Sequence, residues 1–559
     1  MPRIFHRSLL SALTLTSALA FAKPNESAKS TDAIKPHLKA KVQARLSSLP
    51  SRGAGAVVLH REPLIEPRAV TDPSDPHEQK IAKLREQLAA LLRERPLSAS
   101  KVGLTVMQAS DGDVLFAHNA GVQFNPASNT KMLTTAAAIA MLGSDYRYHT
   151  ALYGPQPSED GVIHGDVVLR GSGDPSLGTP DLVELAHEMA ARGIIRVDGS
   201  VLADTKFHGG PHEGEAHPDG VGDGALILNR NAYIVHVSPG EVGHAPSAWV
   251  EPRGGFIGVE NQATTVHGKK SRLKIDTYRR GDRLIITVRG RIADNRGEFA
   301  EARRLPDGAL LSAQVVKNAL GDFGVEVSGD VRTAQGRSDF PVLLADHKSV
   351  PMADVCRLSN KPSNNFIAEA IYKTLGGELF GLPGNLAKGT HAVMDFLTSF
   401  GIKAERYRIV NGSGLTHENR ITPIDLATLL RKLYFDPAVS PDFMSSLAVG
   451  GIDGTIRNRF LGTDAVGLVR AKTGTLNGVS ALSGYVGDKE DVLVFSIFVQ
   501  GFRARRTNEV RHAQVRMVEA MLHFLRTDKS SPNAGERGGP AEDPQVDDSE
   551  SDGDPTLPN

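Results

Sequence analysis

Ser128-Asn129-Thr130-Lys131 places a hydroxyl and an amine three residues apart, a spacing that puts both on one face of a helix. A serine hydroxyl is a poor nucleophile near neutral pH. It needs a base within hydrogen-bond reach and donors for the oxyanion that forms on its target. Lys131 is the candidate base, because a lysine held near another cation and away from bulk water has a lowered pKa. Lys472 is a candidate for that second cation. The start of a helix also favours negative charge developing at Ser128. The chemistry within reach of such residues is acyl transfer through a serine ester.

Two further motifs follow in order. Ser363-Asn364-Asn365 enters a second predicted helix. Ser363 could relay a proton to a leaving group, and Asn365 could hold a substrate amide and Lys131; the same residue types are also ordinary helix N-caps. Lys472-Thr473-Gly474 lies on a predicted strand. Lys472 and the Thr473 hydroxyl would bind a carboxylate, and Gly474 would let a backbone approach closely. The N–H groups of Ser128 and Thr475 would form the oxyanion hole. Each motif alone is weak. Ser98–Lys101 and Ser271–Lys274 repeat the first spacing, and Ser531–Asn533 repeats the second. Ser98 lies between Pro96 and a strand, Ser271 in a polar β-like run, and Ser531 in the acid-rich tail. Order and context single out Ser128, Lys131, Ser363 and Asn365 as catalytic candidates. Lys472, Thr473, Gly474 and Thr475 are the substrate-binding candidates.

The elements that must carry these residues can be read locally. A helix is expected from Asp75, with Asp75 as N-cap, Pro76 at the first helical position and Glu78 completing a capping box. Lys101 to Ala120 reads as two strands around Asp111-Gly112. Asn125-Pro126-Ala127 is a turn feeding an apolar helix whose first turn holds Ser128. Residues 151–340 are Gly-rich with short β-type runs and one clear helix near Pro180–Arg192, and read as inserted β-rich domains. Longer helices return afterwards, over Asn364–Leu375 and Ile421–Leu433. Gly467–Leu476 and Val479–Gly487 flank Asn477-Gly478, a strong hairpin signal. Val492–Val499 is a third strand and Thr507–Leu525 a final amphipathic helix. The expected class is α+β, with a discontinuous catalytic domain at 75–150 and 341–527.

Charge balances, 64 Lys+Arg against 64 Asp+Glu, which argues against a polyanion such as nucleic acid as partner. Arg3, His6 and Arg7 precede a short apolar run from Leu9 to Leu19 and the small-x-small site Ala20-Phe21-Ala22. This reads as a signal peptide over 1–22, exporting the chain to the periplasm. A flexible leader (23–74) and a disordered acidic tail (528–559) are expected, and no membrane span. Cys356 is the only cysteine, so no intrachain disulfide is possible; it reads as a small buried hydrophobe. No metal spacing is visible among the 19 histidines, and no carboxylate or cysteine pattern supports a site at the His208, His212, His217 cluster, which reads as a solvated loop. No cofactor is expected.

The chain resembles the low-molecular-mass class C penicillin-binding proteins of the penicillin-binding-protein-4 type. The likeness rests on Pro126-Ala127-Ser128-Asn129-Thr130-Lys131, Gly171-Ser172-Gly173-Asp174-Pro175, Asn411-Gly412-Ser413-Gly414-Leu415, Asp453-Gly454-Thr455 and Ala471-Lys472-Thr473-Gly474-Thr475-Leu476. It implies a transpeptidase-like fold, with extra domains in the long interval between Ser128 and Ser363. It also implies a D-alanyl-D-alanine carboxypeptidase and endopeptidase of peptidoglycan. Ser128 would be the acyl-enzyme nucleophile and Lys131 the proton acceptor; stem peptides or cross-links would be substrates and β-lactams inhibitors. The chain departs from the family at Thr416-His417, where an arginine often follows Ser-Gly-Leu-Ser, and it lacks a tryptophan around His217–Val221. Other outcomes of the same motifs are a β-lactamase and an inert cell-wall-binding scaffold.

Overall fold

The computed structural model describes residues 67–69, 71–204, 224–268, 270–281, 283–305, 308–334, 341–488 and 491–526. The signal peptide, nearly all of the leader, the His208 cluster, the His217–Val221 stretch, Ser531–Asn533 and the acidic tail lie outside them.

A six-stranded, wholly antiparallel sheet carries the motifs. Its order is Ala448–Val449, Val469–Leu476, Val479–Gly487, Val492–Gln500, Lys101–Gln108, Val114–His118. The Asn477-Gly478 hairpin forms, with Gly478 at φ +69°, as does the hairpin around Asp111-Gly112. On one face of the sheet the Pro76–Arg93 and Thr507–Arg526 helices pack together. Ile81, Leu84 and Leu88 of the first meet Val510, Met517 and Met521 of the second over Leu482, Phe495 and Ile497 of the sheet. The apolar stripes seen in the sequence are these buried faces. On the other face lie the Thr130–Met141, Met352–Asn360, Asn365–Phe380 and Pro423–Tyr434 helices. Tyr485 reaches from the sheet to donate to the Leu430 carbonyl at 2.8 Å.

The capping box expected at Asp75 is only half present. Asp75 caps the His77 N–H at 2.8 Å, but Glu78 turns away to accept from Arg68 at 2.8 Å. An arginine within reach outcompetes a backbone amide for the carboxylate.

The inserted region has its own core. Val167, Leu182, Leu185, Val201, Ile286, Val288, Leu311 and Val316 are among its fully buried residues, and none belongs to the motif-bearing sheet. A five-stranded sheet runs Val331–Thr333, Val201–Asp204, Val167–Gly171, His149–Gly154, Val342–Lys348, with three three-stranded sheets beside it. The Thr179–Ala191 and Ala309–Asp322 helices pack on one another. Val342–Lys348 pairs with His149–Gly154, so the sheets divide at Tyr148 and Ser349 rather than at 150 and 341. There the two chain crossings are tied by Ser349 N to Tyr148 O and Tyr148 N to Ser349 Oγ, both 3.0 Å.

Among the described residues no helix is long and apolar enough to cross a membrane, and no cluster of His, Cys, Asp or Glu could hold a metal ion. Cys356 is fully buried, and burial pushes its thiol well up.

Candidate active site

Ser128 sits in a 3-10 turn, Ala127–Asn129, just ahead of the Thr130–Met141 helix rather than within its first α turn. Gly474 allows this turn to be buried. A β-carbon on Gly474 would stand 2.7 Å from Pro126 O and 3.1 Å from Ala127 Cβ, so the Lys472 strand can pass the turn only without a side chain there. Ala127 itself lies at φ +45°, a left-handed backbone that costs a non-glycine residue about 1–2 kcal/mol. Asn129 locks the turn to the strand. With its carboxamide nitrogen facing the Lys472 and Thr473 carbonyls at 2.8 and 3.2 Å, its oxygen accepts from Ser483 Oγ at 2.8 Å.

Lys131 is fully buried behind Ser128. Its Nζ lies 3.0 Å from Ser128 Oγ, 2.6 Å from Asn365 Oδ1 and 2.8 Å from the Ser413 carbonyl oxygen. The helical spacing therefore does bring Ser128 and Lys131 together, and Asn365 joins them from across the fold. The second motif divides its labour. Asn364 is the N-cap of the Asn365–Phe380 helix, accepting from Ile367 N at 3.0 Å. That leaves Ser363 and Asn365 to face the site. Ser363 stands at φ +64°, outside the helix, and its hydroxyl accepts from Lys472 Nζ at 2.7 Å.

Lys472 is also fully buried, and its amine donates to the Thr473 carbonyl at 2.9 Å. Burial, then Lys131 and Arg459 as like charges, holds the Lys472 ammonium well below its ordinary pKa. Thr473 Oγ1 donates to Thr455 Oγ1 at 2.8 Å, and the Thr475 hydroxyl accepts from Arg511 at 3.3 Å. Ser128, Ser363, Asn365 and Thr475 are partly exposed, so the hydroxyls line the open side with the two amines behind them.

Sequence reasoning left Asp453-Gly454-Thr455 without a role. Asp453 pairs with Lys361 and accepts from Val449 N at 2.8 Å, and Thr455 N donates to Lys361 O at 3.0 Å. This segment ties the turn before Ser363 to the Lys472 strand. Also unread were Arg459 and Arg511, which add positive charge beside that strand. The Ser-x-x-Lys look-alikes have no such setting. Lys101 lies over the Phe124 ring at 4.9 Å, and Lys274 is an exposed partner of Asp276 at 3.2 Å.

An antiparallel sheet flanked by helices, with a Ser–Lys pair against one strand and a Lys–Ser pair beside it, defines a serine peptidase of the transpeptidase-like fold. The profile of the D-Ala-D-Ala carboxypeptidase 3 (S13) family matches residues 84–521, and the chain belongs to that family. It is 31% identical over 467 residues to a D-alanyl-D-alanine carboxypeptidase of Actinomadura sp. (strain R39), covering 79% of this chain and 86% of that one. It is 24% identical over 436 residues to D-alanyl-D-alanine carboxypeptidase DacB of Haemophilus influenzae, covering 74% and 88%. In fold it is similar to the crystal structure of penicillin binding protein 4 (dacB) from H. influenzae, with a TM-score of 0.63 at 21% identity over 78% of this chain and 99% of that one. The chain is thus a serine-type peptidase of the S13 family.

Proposed function

We propose that Ser128 is the acyl-enzyme nucleophile and Lys131 its general base. One observation carries this reading: Lys131 Nζ meets two carbonyl oxygens, of Asn365 and Ser413, which can only accept. A neutral amine has two hydrogens and one lone pair. The Asn365 and Ser413 oxygens take the two hydrogens, which leaves the lone pair facing the Ser128 hydroxyl 3.0 Å away. Lys131 and Lys472 are both buried and repel as like charges, which favours a neutral form for one of the two amines.

Attack of Ser128 Oγ on the carbonyl carbon of the penultimate D-Ala forms the C–O bond as the hydroxyl proton passes to Lys131. The Ser128 and Thr475 N–H groups stabilise the oxyanion. Collapse breaks the C–N bond; the departing amine takes a proton from the Ser363 hydroxyl, and the proton held on Lys131 replaces it, so that Lys131 is neutral again and Lys472 keeps its charge beside Ser363. Thr473 and Lys472 bind the terminal carboxylate beside Gly474. Water then hydrolyses the ester with Lys131 again as base. A D-amino-acid cross-link presents the same bond, so endopeptidase action on peptidoglycan is part of the proposal, and β-lactams would acylate Ser128. The cationic start, apolar run and Ala20-Phe21-Ala22 site support export to the periplasm, with Lys23 as the mature N-terminus. The catalytic domain is discontinuous around the inserted region.

Digestion of purified muropeptides tests the assignment. Free D-Ala, and monomers from cross-linked dimers, should appear with the wild type and vanish with Ser128→Ala. Undiminished D-Ala release by Ser128→Ala would overturn it.

A further inference from the structure

Glu369 is a buried carboxylate in the Asn365–Phe380 helix, with Lys373 buried one turn further on. Phe366, Ile367, Ala368, Ala370 and Ile371 are buried around it. Its two oxygens accept two consecutive backbone N–H groups, Gly412 N at 3.0 Å and Ser413 N at 2.9 Å. Those amides belong to the turn whose Ser413 carbonyl takes a hydrogen of Lys131. The turn is held from its other side as well. Thr134 Oγ1 donates to Gly412 O, and Gly414 N donates to Asn411 Oδ1, both at 2.8 Å. It lies directly on the helix: a β-carbon on Gly412 would stand 2.6 Å from Tyr372 Cβ and 2.9 Å from Ala368 O. Asn365, the other acceptor of Lys131, is one turn earlier on the same face of that helix.

We infer that Glu369 is a positioning residue for acylation: by gripping the Gly412 and Ser413 amides it holds the Ser413 carbonyl where it takes one Lys131 hydrogen and so aims the Lys131 lone pair at Ser128. This rests on the reading of Lys131 as base. One helix thereby sets both acceptors of the amine, Asn365 directly and Glu369 through the turn. A carboxylate is the group that fits, because two adjacent N–H donors need two acceptor oxygens. Glutamine offers one oxygen and one N–H₂, and the second donor would oppose an amide N–H. The reorientation acts on the base rather than on substrate contacts, so it should change the rate of the covalent step and not the affinity of the complex before it.

The test is stopped-flow acylation of full-length mature protein by a penicillin, resolving the acylation rate constant from the dissociation constant of the noncovalent complex. Wild type is compared with Glu369→Gln and Thr134→Val, at a temperature where near-ultraviolet circular dichroism shows each folded. Glu369→Gln should lower the acylation rate constant about tenfold or more, as expected when one or two hydrogen bonds worth of alignment are lost. The dissociation constant should stay as in wild type. Thr134→Val, which loosens the same turn from the other side, should show a smaller loss in the same constant, and it decides the matter if Glu369→Gln does not fold. A folded Glu369→Gln that acylates at the wild-type rate, or a loss confined to the dissociation constant, overturns the inference about Glu369. A wild type that is not acylated at all overturns instead the proposed chemistry of Ser128 and Lys131.

Discussion

Gly414 lies so close to Ala127 that a β-carbon built on it stands 1.9 Å from the Ala127 carbonyl oxygen and 2.7 Å from Thr130 Oγ1. Its φ of +77° adds a backbone conformation that a side chain resists. The segment that feeds a carbonyl to Lys131 therefore passes beneath the turn that holds Ser128, with no room between them. Gly414→Ala should cost about 2–4 kcal/mol, from strained φ and overpacking together. Urea unfolding should show the loss, and a variant as stable as wild type would contradict the contact.

Replacing Lys131 separates charge from basicity. Arginine keeps a cation but cannot be deprotonated in a protein, so it cannot present a lone pair to Ser128. Lys131→Arg and Lys131→Met should both lower the penicillin acylation rate by about 10²–10⁴-fold, the usual worth of a positioned general base. Near-normal acylation by Lys131→Arg would mean that only positive charge is needed there.

Lys472 makes stability depend on pH. Its folded-state pKa is depressed by burial, Lys131 and Arg459, while the unfolded chain has the ordinary lysine value. Between those two values the unfolded state binds more protons, so folding gains stability as pH rises through that window. Below the folded pKa the full cost of burying the charge is present. Relative to Lys472→Met, the melting temperature of wild type should therefore improve as pH rises through that window toward the ordinary lysine value. A difference that is flat or falls with pH would count against the depressed pKa.

Ile227 of the inserted region is fully buried against Phe366 and Ala370 of the helix that begins at Asn365. Arg304 lies over the same Phe366 ring at 5.9 Å. The insertion thus braces the helix that carries both Asn365 and Glu369. Ile227→Ala should destabilise by about 2 kcal/mol or more. Because the brace touches that helix, the acylation rate of the folded variant should drop as well. A change in stability with no change in rate would confine Ile227 to packing.

Local signals in the sequence carried the hairpins and most helices, because those depend on neighbours in the chain. Asn477-Gly478 specifies a turn needing positive φ, and the Ile81, Leu84, Leu88 stripe specifies a buried helical face. What depended on distant partners was not legible. The strand character of Val342–Lys348 was hidden in a Leu-rich run, and nothing local says that its partner is His149–Gly154. The capping box at Glu78 failed for the same reason, since Arg68 competes from outside the helix. At the site, Ser128, Lys131 and Asn365 were legible through motif order. The 3-10 geometry at Ser128 was not, because it is imposed by backbone passing at Gly474. Glu369 left a readable trace, a lone acid amid Phe366, Ile367, Ala368, Ala370 and Ile371. Its partners, the Gly412 and Ser413 amides, could be seen only once the chain was folded.

The most direct test of the account is the intact mass of the mature protein after exposure to a penicillin, wild type beside Ser128→Ala. Wild type should gain the mass of one penicillin, located on the peptide containing Ser128, and Ser128→Ala should gain nothing. An adduct of equal yield in Ser128→Ala, or none in wild type, would contradict the claim that the Ser128–Lys131 pair performs the acyl transfer.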